Sequence, residues 1–401
     1  MTTLTETLST IPLTTRSVNF TSVPVLDLDL ANSPSTKPKF LLQLREALVV
    51  VGFFYVKNTS VPKDVRNEFV DKSMKLSNLP LEKKMEIDMI NSKHFLGYSR
   101  MGLERTAAKM DYREMFDFLT PMPPPKQDDP VWMNVQGPNQ WPDETAVPGF
   151  RNALEAYITS ITNFGNIMKR LVAEALELEP DALDKFFHDP PRNKVSLLKY
   201  PPPPQSQNAG TQNRIHGLRN NGESGEPNFQ GVGSHKDGGF LTYLLQATPH
   251  AGLEAQNKAG DWIPIPPIDD TLVINVGRSL EAITGGVCTA TTHRVSLRPQ
   301  DFIDQHGRPR GPRFSYPVFQ TLKLDIMHEE LCSLKLPDHI RNLVQDEKVK
   351  SDAEAFFAQY HLMSPGQGIF TARLTSHPDV GRKWYPELLE AALKGQKEFQ
   401  S

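Results

Sequence analysis

A change of hydrophobic period near the middle of the chain constrains its fold more than any other feature. From about Gly149 to Leu178, Phe150, Leu154, Ile158, Ile161, Phe164, Met168 and Leu171 recur at three- and four-residue spacing. That spacing predicts one long amphipathic helix whose stripe faces a core. From Lys194 to about Phe319 the spacing falls to two, in short apolar runs separated by turn residues. About eight strands are expected there. The chain holds 34 prolines and 25 glycines in 401 residues, as heavy punctuation by turns requires. Many short strands after one long helix fit a double-sheet jelly roll supported by helices.

Other elements are legible on either side. Val23–Leu28 reads as a strand, Pro38 opens a helix with Leu41, Leu44 and Leu48 on one face, and Val49–Val56 reads as a second strand. A helix over Lys63–Leu76 turns Val65, Phe69 and Leu76 inward. Residues 120–148 form a proline-rich loop, with Trp132 and Trp141 as its anchors. Residues 202–230 are polar and glycine-rich and read as an insertion, a candidate lid over the mouth of the barrel, with His216 in it solvated. After Phe319 helices return, ending with an amphipathic stretch over Glu387–Phe399. No internal repeat is apparent. Met1 to Ser17 lacks an apolar stretch and reads as a frayed end, not a targeting signal.

Bulk properties narrow the function class. The net charge is −3 with no long run of one sign, which argues against nucleic acid as an obligatory partner. The two cysteines, Cys288 and Cys332, are too few for a disulfide framework and suit a reducing, cytoplasmic compartment. Cys288 reads as a small buried hydrophobe. No run approaches 18 apolar residues, so no membrane span is expected.

The chemistry gathers at His235-Lys236-Asp237, His293 and Arg313-Phe314-Ser315. In an extended chain His235 and Asp237 project to one face and Lys236 to the other. His293, in the β-prone run Thr291–Val295, supplies a third ligand. Two imidazoles and one carboxylate on one face leave the remaining positions of an octahedral metal open, the geometry Fe(II) needs to bind a cosubstrate and O2. Arg313 and Ser315 are again spaced by two. A guanidinium fork beside a hydroxyl suits a carboxylate, here the far end of a small diacid such as 2-oxoglutarate.

These residues resemble the isopenicillin N synthase-like Fe(II)/2-oxoglutarate oxygenases. The likeness runs through Ser234–Gln246, Gly252-Leu253-Glu254, Gly260–Pro264, Leu272–Gly277, Thr292–Val295 and Arg313–Ser315, and through Lys199-Tyr200-Pro201-Pro202 upstream. Val23–Leu28, Gly52–Asn58 and Asp111–Phe116 also resemble that family. The resemblance implies a cupin-like double-stranded β-helix of α+β class, with Fe(II), 2-oxoglutarate and O2 as cofactors and a small-molecule substrate that is hydroxylated, desaturated or cyclised in specialised metabolism. It implies iron on His235, Asp237 and His293, the cosubstrate on Arg313, Ser315 and Tyr200, and Val295, Arg100 and Glu114 as substrate-pocket residues. Arg105 and Arg113 lie in the same candidate wall. It divides the chain into a flexible 1–20, an N-terminal region 21–150, a core 151–325 carrying the insertion, and a helical extension 326–401. The chain departs from the pattern at Asn58-Thr59-Ser60, at Arg278, and in a longer gap before Arg313, where residues 304–311 read as an insertion. Arg298 is the competing arginine but lacks the paired hydroxyl. Phe240 has the wrong parity to join the ligands on their face. Two other readings remain: an iron oxidase of this fold that does not use 2-oxoglutarate, and a non-catalytic metal-binding jelly roll.

Overall fold

Side-chain parity sorts the strands of this protein into two layers. The computed structural model describes residues 19–106, 109–203, 219–221, 227–344 and 346–398. Its strands are β1 Val25–Asp27, β2 Phe53–Lys57, β3 Gly97–Ser99, β4 Arg105–Thr106, β5 Lys109–Met110, β6 Glu114–Leu119, β7 Asn193–Tyr200 and β8 Arg219–Asn221. They continue as β9 Pro227–His235, β10 Leu241–Gln246, β11 Leu253–Gln256, β12 Trp262–Pro264, β13 Thr271–Val276, β14 His293–Leu297 and β15 Arg313–Gln320. An eight-stranded sheet has the order β1-β2-β13-β10-β15-β7-β6-β3, and a five-stranded sheet has the order β12-β11-β14-β9-β8. Apart from the parallel pair β1·β2, the pairings are antiparallel.

The large sheet is buried on both faces, so its strands read as nearly continuous apolar runs. On β2, Phe53 and Tyr55 face the small sheet, while Phe54 and Val56 face the helices. The same division holds on β10, with Leu244 inside and Leu241, Tyr243 and Leu245 outside, and on β13, with Val273 inside and Leu272, Ile274 and Val276 outside. The outer layer is the helix Phe150–Ala175 with Lys37–Glu46 and Lys63–Ser77. The stripe expected of Phe150, Leu154, Ile158, Ile161, Phe164, Met168 and Leu171 is buried throughout. Each such side chain removed from water contributes about 1.5–3 kcal/mol. Strands β1, β2, β3 and β6 belong to this sheet, so residues before and after 150 share one core.

Val49 to Val51, expected as strand, lie instead in a π-helical turn, Ala47–Val51, that continues the preceding helix. Gly52 ends it at φ 69°, where an added Cβ would sit 2.1 Å from the Thr289 carbonyl oxygen. The strand therefore starts at Phe53; helix packing overrides the β preference of three valines. The first strand is also shorter than expected, because Asp27 accepts from the Asp29 amide and starts a 3-10 turn over Leu28–Asn32. Trp141 stacks on Phe118, and Trp132 packs against Gly366, so both tryptophans anchor the proline-rich loop. Of the 202–230 insertion, residues 204–218 (with His216) and 222–226 lie outside the described residues, as do residues 1–18. β8 pairs with the start of β9.

Phe69 stacks on Tyr157 at 4.0 Å and meets Tyr316 edge-on at 5.4 Å, joining two helices to the large sheet. Phe69→Ala is expected to lower unfolding free energy by about 3–5 kcal/mol. Denaturant melts monitored by far-UV circular dichroism measure this. A loss below about 1 kcal/mol would mean that this contact does not hold the layers together.

Candidate active site

His235 closes β9, Asp237 follows two residues on, and His293 opens β14 directly opposite His235. Their ligand atoms lie within 4.8 Å of one another. His235 Nε2 is 3.4 Å and His293 Nε2 3.7 Å from Asp237 Oδ1. Each ring donates its other nitrogen to a carbonyl: His235 Nδ1 to Gly233 O at 2.8 Å and His293 Nδ1 to Thr291 O at 3.1 Å. Both Nε2 atoms are thereby left as lone-pair donors turned to one point. Thr242 Oγ1 and Asn275 Nδ2 donate to Asp237 Oδ2 at 2.6 and 2.8 Å, which fixes the carboxylate and leaves Oδ1 for the same point.

Electrostatics favour the ligand forms of Asp237 and His293. Burial opposes ionisation of Asp237, but His293, His235 and Asn275 outweigh it and hold the carboxyl far below its usual range. Burial, with His235 beside it, pushes His293 down to about 4 and keeps it neutral. Burial also works against a charged His235, yet the Asp237 carboxylate outweighs it and raises its pKa. A cation entering the triad would compete with a proton for His235 Nε2. Two imidazoles and one carboxylate, with no thiolate and no fourth protein ligand among the described residues, suit Fe(II) more than a closed structural zinc.

Lys236 points the other way, as strand parity requires, to Glu281 at 3.4 Å and Asp352 at 3.2 Å. Arg278, one of the departures from the family pattern, reaches the same two carboxylates, each at 2.5 Å. Its amide donates to the Asp237 carbonyl at 2.7 Å. Gly277 permits this approach, since a Cβ there would sit 2.0 Å from the Gly239 carbonyl oxygen.

Arg313 and Ser315 project from β15 into the cavity that His235, Asp237 and His293 line, a space of about 70 Å³. Tyr200 pairs with Arg313 in register, and the guanidinium carbon lies 4.9 Å from its ring centre. Arg313 is 1% exposed, its Nη1 has no hydrogen-bond partner among the described residues, and burial lowers its pKa. A buried cation with an unused donor is incomplete without an anion. The carboxylate of 2-oxoglutarate therefore fits the residues present. Arg298 pairs with Glu254 and is not among the cavity residues.

Val295 lines this cavity, but two expected pocket residues do not. Glu114 lies on the helix-facing side of β6, bound to Lys84 at 2.7 Å, Tyr98 at 2.6 Å and Lys199 at 3.1 Å. Arg100 is half exposed and pairs with Asp88 at 3.3 Å. Strand parity explains the correction: Arg113, next to Glu114, is the one that turns inward to the cavity, held by Glu104 and Asp111. Phe240 packs outside, edge-on to Phe187, as its parity predicts. Thr242 and Asn275 carried no assigned role in the sequence. Each is a polar residue at an inward position of an apolar strand, which is the signal that could have found them.

Asn275→Ala should weaken metal binding about 10- to 100-fold while leaving the fold intact. Titration of the metal-free protein with Fe(II) or Co(II) measures this, and unchanged affinity would remove Asn275 from the support of the site.

The comparisons with known proteins agree with this geometry. Residues 23–144 match the model described as "non-haem dioxygenase in morphine synthesis N-terminal", and residues 193–321 match the 2OG-Fe(II) oxygenase superfamily. A 2-oxoglutarate-dependent dioxygenase of Gibberella zeae is 43% identical over 380 residues, covering 95% of each chain. The chain belongs to the 2-oxoglutarate–Fe(II) oxygenase family. A second relative, 2-oxoglutarate-dependent dioxygenase frbJ of Dothideomycetidae sp., is 40% identical over 381 residues, covering 94% of this chain and 96% of the relative. Full-length Neurospora crassa T7H, crystallised with alpha-KG and thymine, superposes with a TM-score of 0.63 at 22% identity, covering 86% of this chain and 98% of that one, and shares the double-stranded β-helix fold. The oxygenase is a non-haem Fe(II)- and 2-oxoglutarate-dependent dioxygenase. Among its described residues no helix is long and apolar enough to cross a membrane.

Proposed function

We propose that His235, Asp237 and His293 hold the Fe(II), that Arg313, Ser315 and Tyr200 hold the distal carboxylate of 2-oxoglutarate, and that Val295 lines the oxygen side of the substrate. The observation that carries this reading is the unpartnered Arg313 Nη1, buried in the same cavity as the triad. When bound, iron and 2-oxoglutarate together supply an oxidant derived from O2, with succinate and CO2 as co-products. The chain supplies position and charge. Arg313 and Ser315 would hold the far end of the diacid and leave its keto acid end free to meet a metal held by the triad. The two carbonyls behind the histidine rings hold both imidazoles in one tautomer, and Thr242 and Asn275 keep Asp237 from turning. Phe53, edge-on to His293 at 5.1 Å, and Leu198 keep the cavity dry. We read residues 21–150 and 151–325 as one catalytic unit, with 326–401 as a helical extension against it. Its location is read as cytoplasmic, on the strength of two unpaired cysteines.

Two measurements test the reading. Anaerobic addition of Fe(II) and 2-oxoglutarate should give a visible metal-to-ligand charge-transfer band that is absent in His235→Ala and weakened in Arg313→Ala, by about tenfold or more in 2-oxoglutarate affinity. A full-strength band in Arg313→Ala would sink the cosubstrate assignment. With substrate and O2, succinate should form in equimolar amount with product. Product without succinate would instead favour an oxidase of the same fold.

A further inference from the structure

A second cavity, of about 370 Å³, begins where the metal strand ends. Gly238 and Gly239, directly after Asp237, form part of its wall, and Phe319 lines both this space and the metal cavity. Phe319 is the register partner of Thr242, whose hydroxyl holds Asp237. Phe319 also pairs with Lys194 of β7, and Arg313 and Tyr200 pair at the opposite end of β15 and β7, so the larger cavity opens on the side of the metal away from the cosubstrate carboxylate. Its size falls within the roughly 300–1,000 Å³ of small-molecule sites.

Three cations reach this space: Arg192, Lys194 and Arg373. Asp117 offsets part of that charge, pairing with Lys194 at 3.2 Å and also with Arg373. Arg192 is 4% exposed and has no ion pair among the described residues. Its Nη2 donates to the Val135 carbonyl at 2.7 Å, its Nη1 lies 3.4 Å from Thr321 Oγ1, and its Nε is buried without a partner. A buried guanidinium that meets one carbonyl and one distant hydroxyl is far from satisfied. Burial and the neighbouring Arg373 push Arg192 down to about 9, and the same two effects bring Lys194 to about 8 despite Asp117. The rest of the wall is largely apolar, with Phe319, Leu322, Phe356 and Ile369.

We propose that the substrate of this oxygenase is a small carboxylic acid with a mainly apolar body. Its carboxylate seats on Arg192, flanked by Lys194 and Arg373, and its body lies along Phe319 and Phe356 with a carbon presented to the metal. The proposal rests on the dioxygenase reading of the triad for its orientation, but the anion seat itself exists without metal.

The test uses metal-free full-length protein and four acids, octanoic, 3-phenylpropanoic, cinnamic and 2-naphthoic, each beside its primary amide. Isothermal titration and thermal shift should show at least one acid binding about tenfold or more tightly than its amide. That preference should vanish in Arg192→Gln and survive largely in Arg192→Lys, which keeps the charge should the first variant fail to fold. The proposal is overturned if no acid outbinds its amide, or if folded Arg192→Gln keeps the preference. Loading the wild type with Fe(II) and 2-oxoglutarate separates the two readings. An acid preference with no succinate released on exposure to O2 would overturn the dioxygenase reading and leave the anion seat. Succinate release with no acid preference would do the reverse.

Discussion

The structure depends on a carboxylate kept ionised out of water. Asp237 is 7% exposed, and an isolated charge at such a place would cost several kcal/mol. Thr242 and Asn275 each donate to one of its oxygens from adjacent strands of the large sheet, while the two histidines, on the small sheet, face the other. The metal site is therefore a polar seam between two sheets that are otherwise joined by apolar contacts. No single strand could provide it. The pairing of β10 with β13 and of β9 with β14 must both be in register before Asp237 has its partners, and a slip of one residue on any of them would turn a ligand or a donor to the wrong face.

That requirement explains why the large sheet is buried on both sides. Rigid strands fix the inward residues only if their outward neighbours are fixed as well, and the helix Phe150–Ala175 with its partners does this through Tyr243, Tyr316 and Phe164. Arg313 gains its position in the same way. Phe314 and Tyr316 anchor the outer face of β15, so Arg313 and Ser315 are held at the inner face beside Tyr200. The longer chain between His293 and Arg313 loops out over residues 304–311, closed by Asp304 on the Arg308 amide and side chain, without altering that register.

Much of this was legible because period-two alternation carries parity. Parity put Lys236 on the opposite face from its neighbours and Phe240 outside, and both stand so. The paired hydroxyl favoured Arg313 over Arg298, and Arg313 is the one that lines the cavity while Arg298 pairs with Glu254. What was not legible required knowledge of which face is which in strands without a chemical marker. Glu114 and Arg113 are adjacent and both charged, and only the pairing of β6 with β7 shows that Arg113 turns inward. The valines at 49–51 misled because a π-turn closed by Gly52 depends on a contact with Thr289, far away in sequence. Arg192 carried no local signal at all, since its significance is the lack of a carboxylate partner in space among the described residues.

The C-terminal helices join the metal site to the larger cavity. Asp352, on the helix Glu347–Leu362, binds Lys236 and Arg278 behind the metal strand, and the next helix, Pro365–Ser376, sends Arg373 to Asp117 at the cavity. Asp352 is half exposed, so its pairs alone are worth little, about 0–1 kcal/mol each. Their effect is on position, because the buried Glu281, on the helix Arg278–Ile283, binds the same two cations. The segment that holds Lys236 and Arg278 thus also forms part of the wall of the larger cavity. A change in these helices would move the substrate relative to the metal without touching a ligand. Chains that share this triad can therefore differ in substrate through a segment that shares none of the triad's sequence pattern.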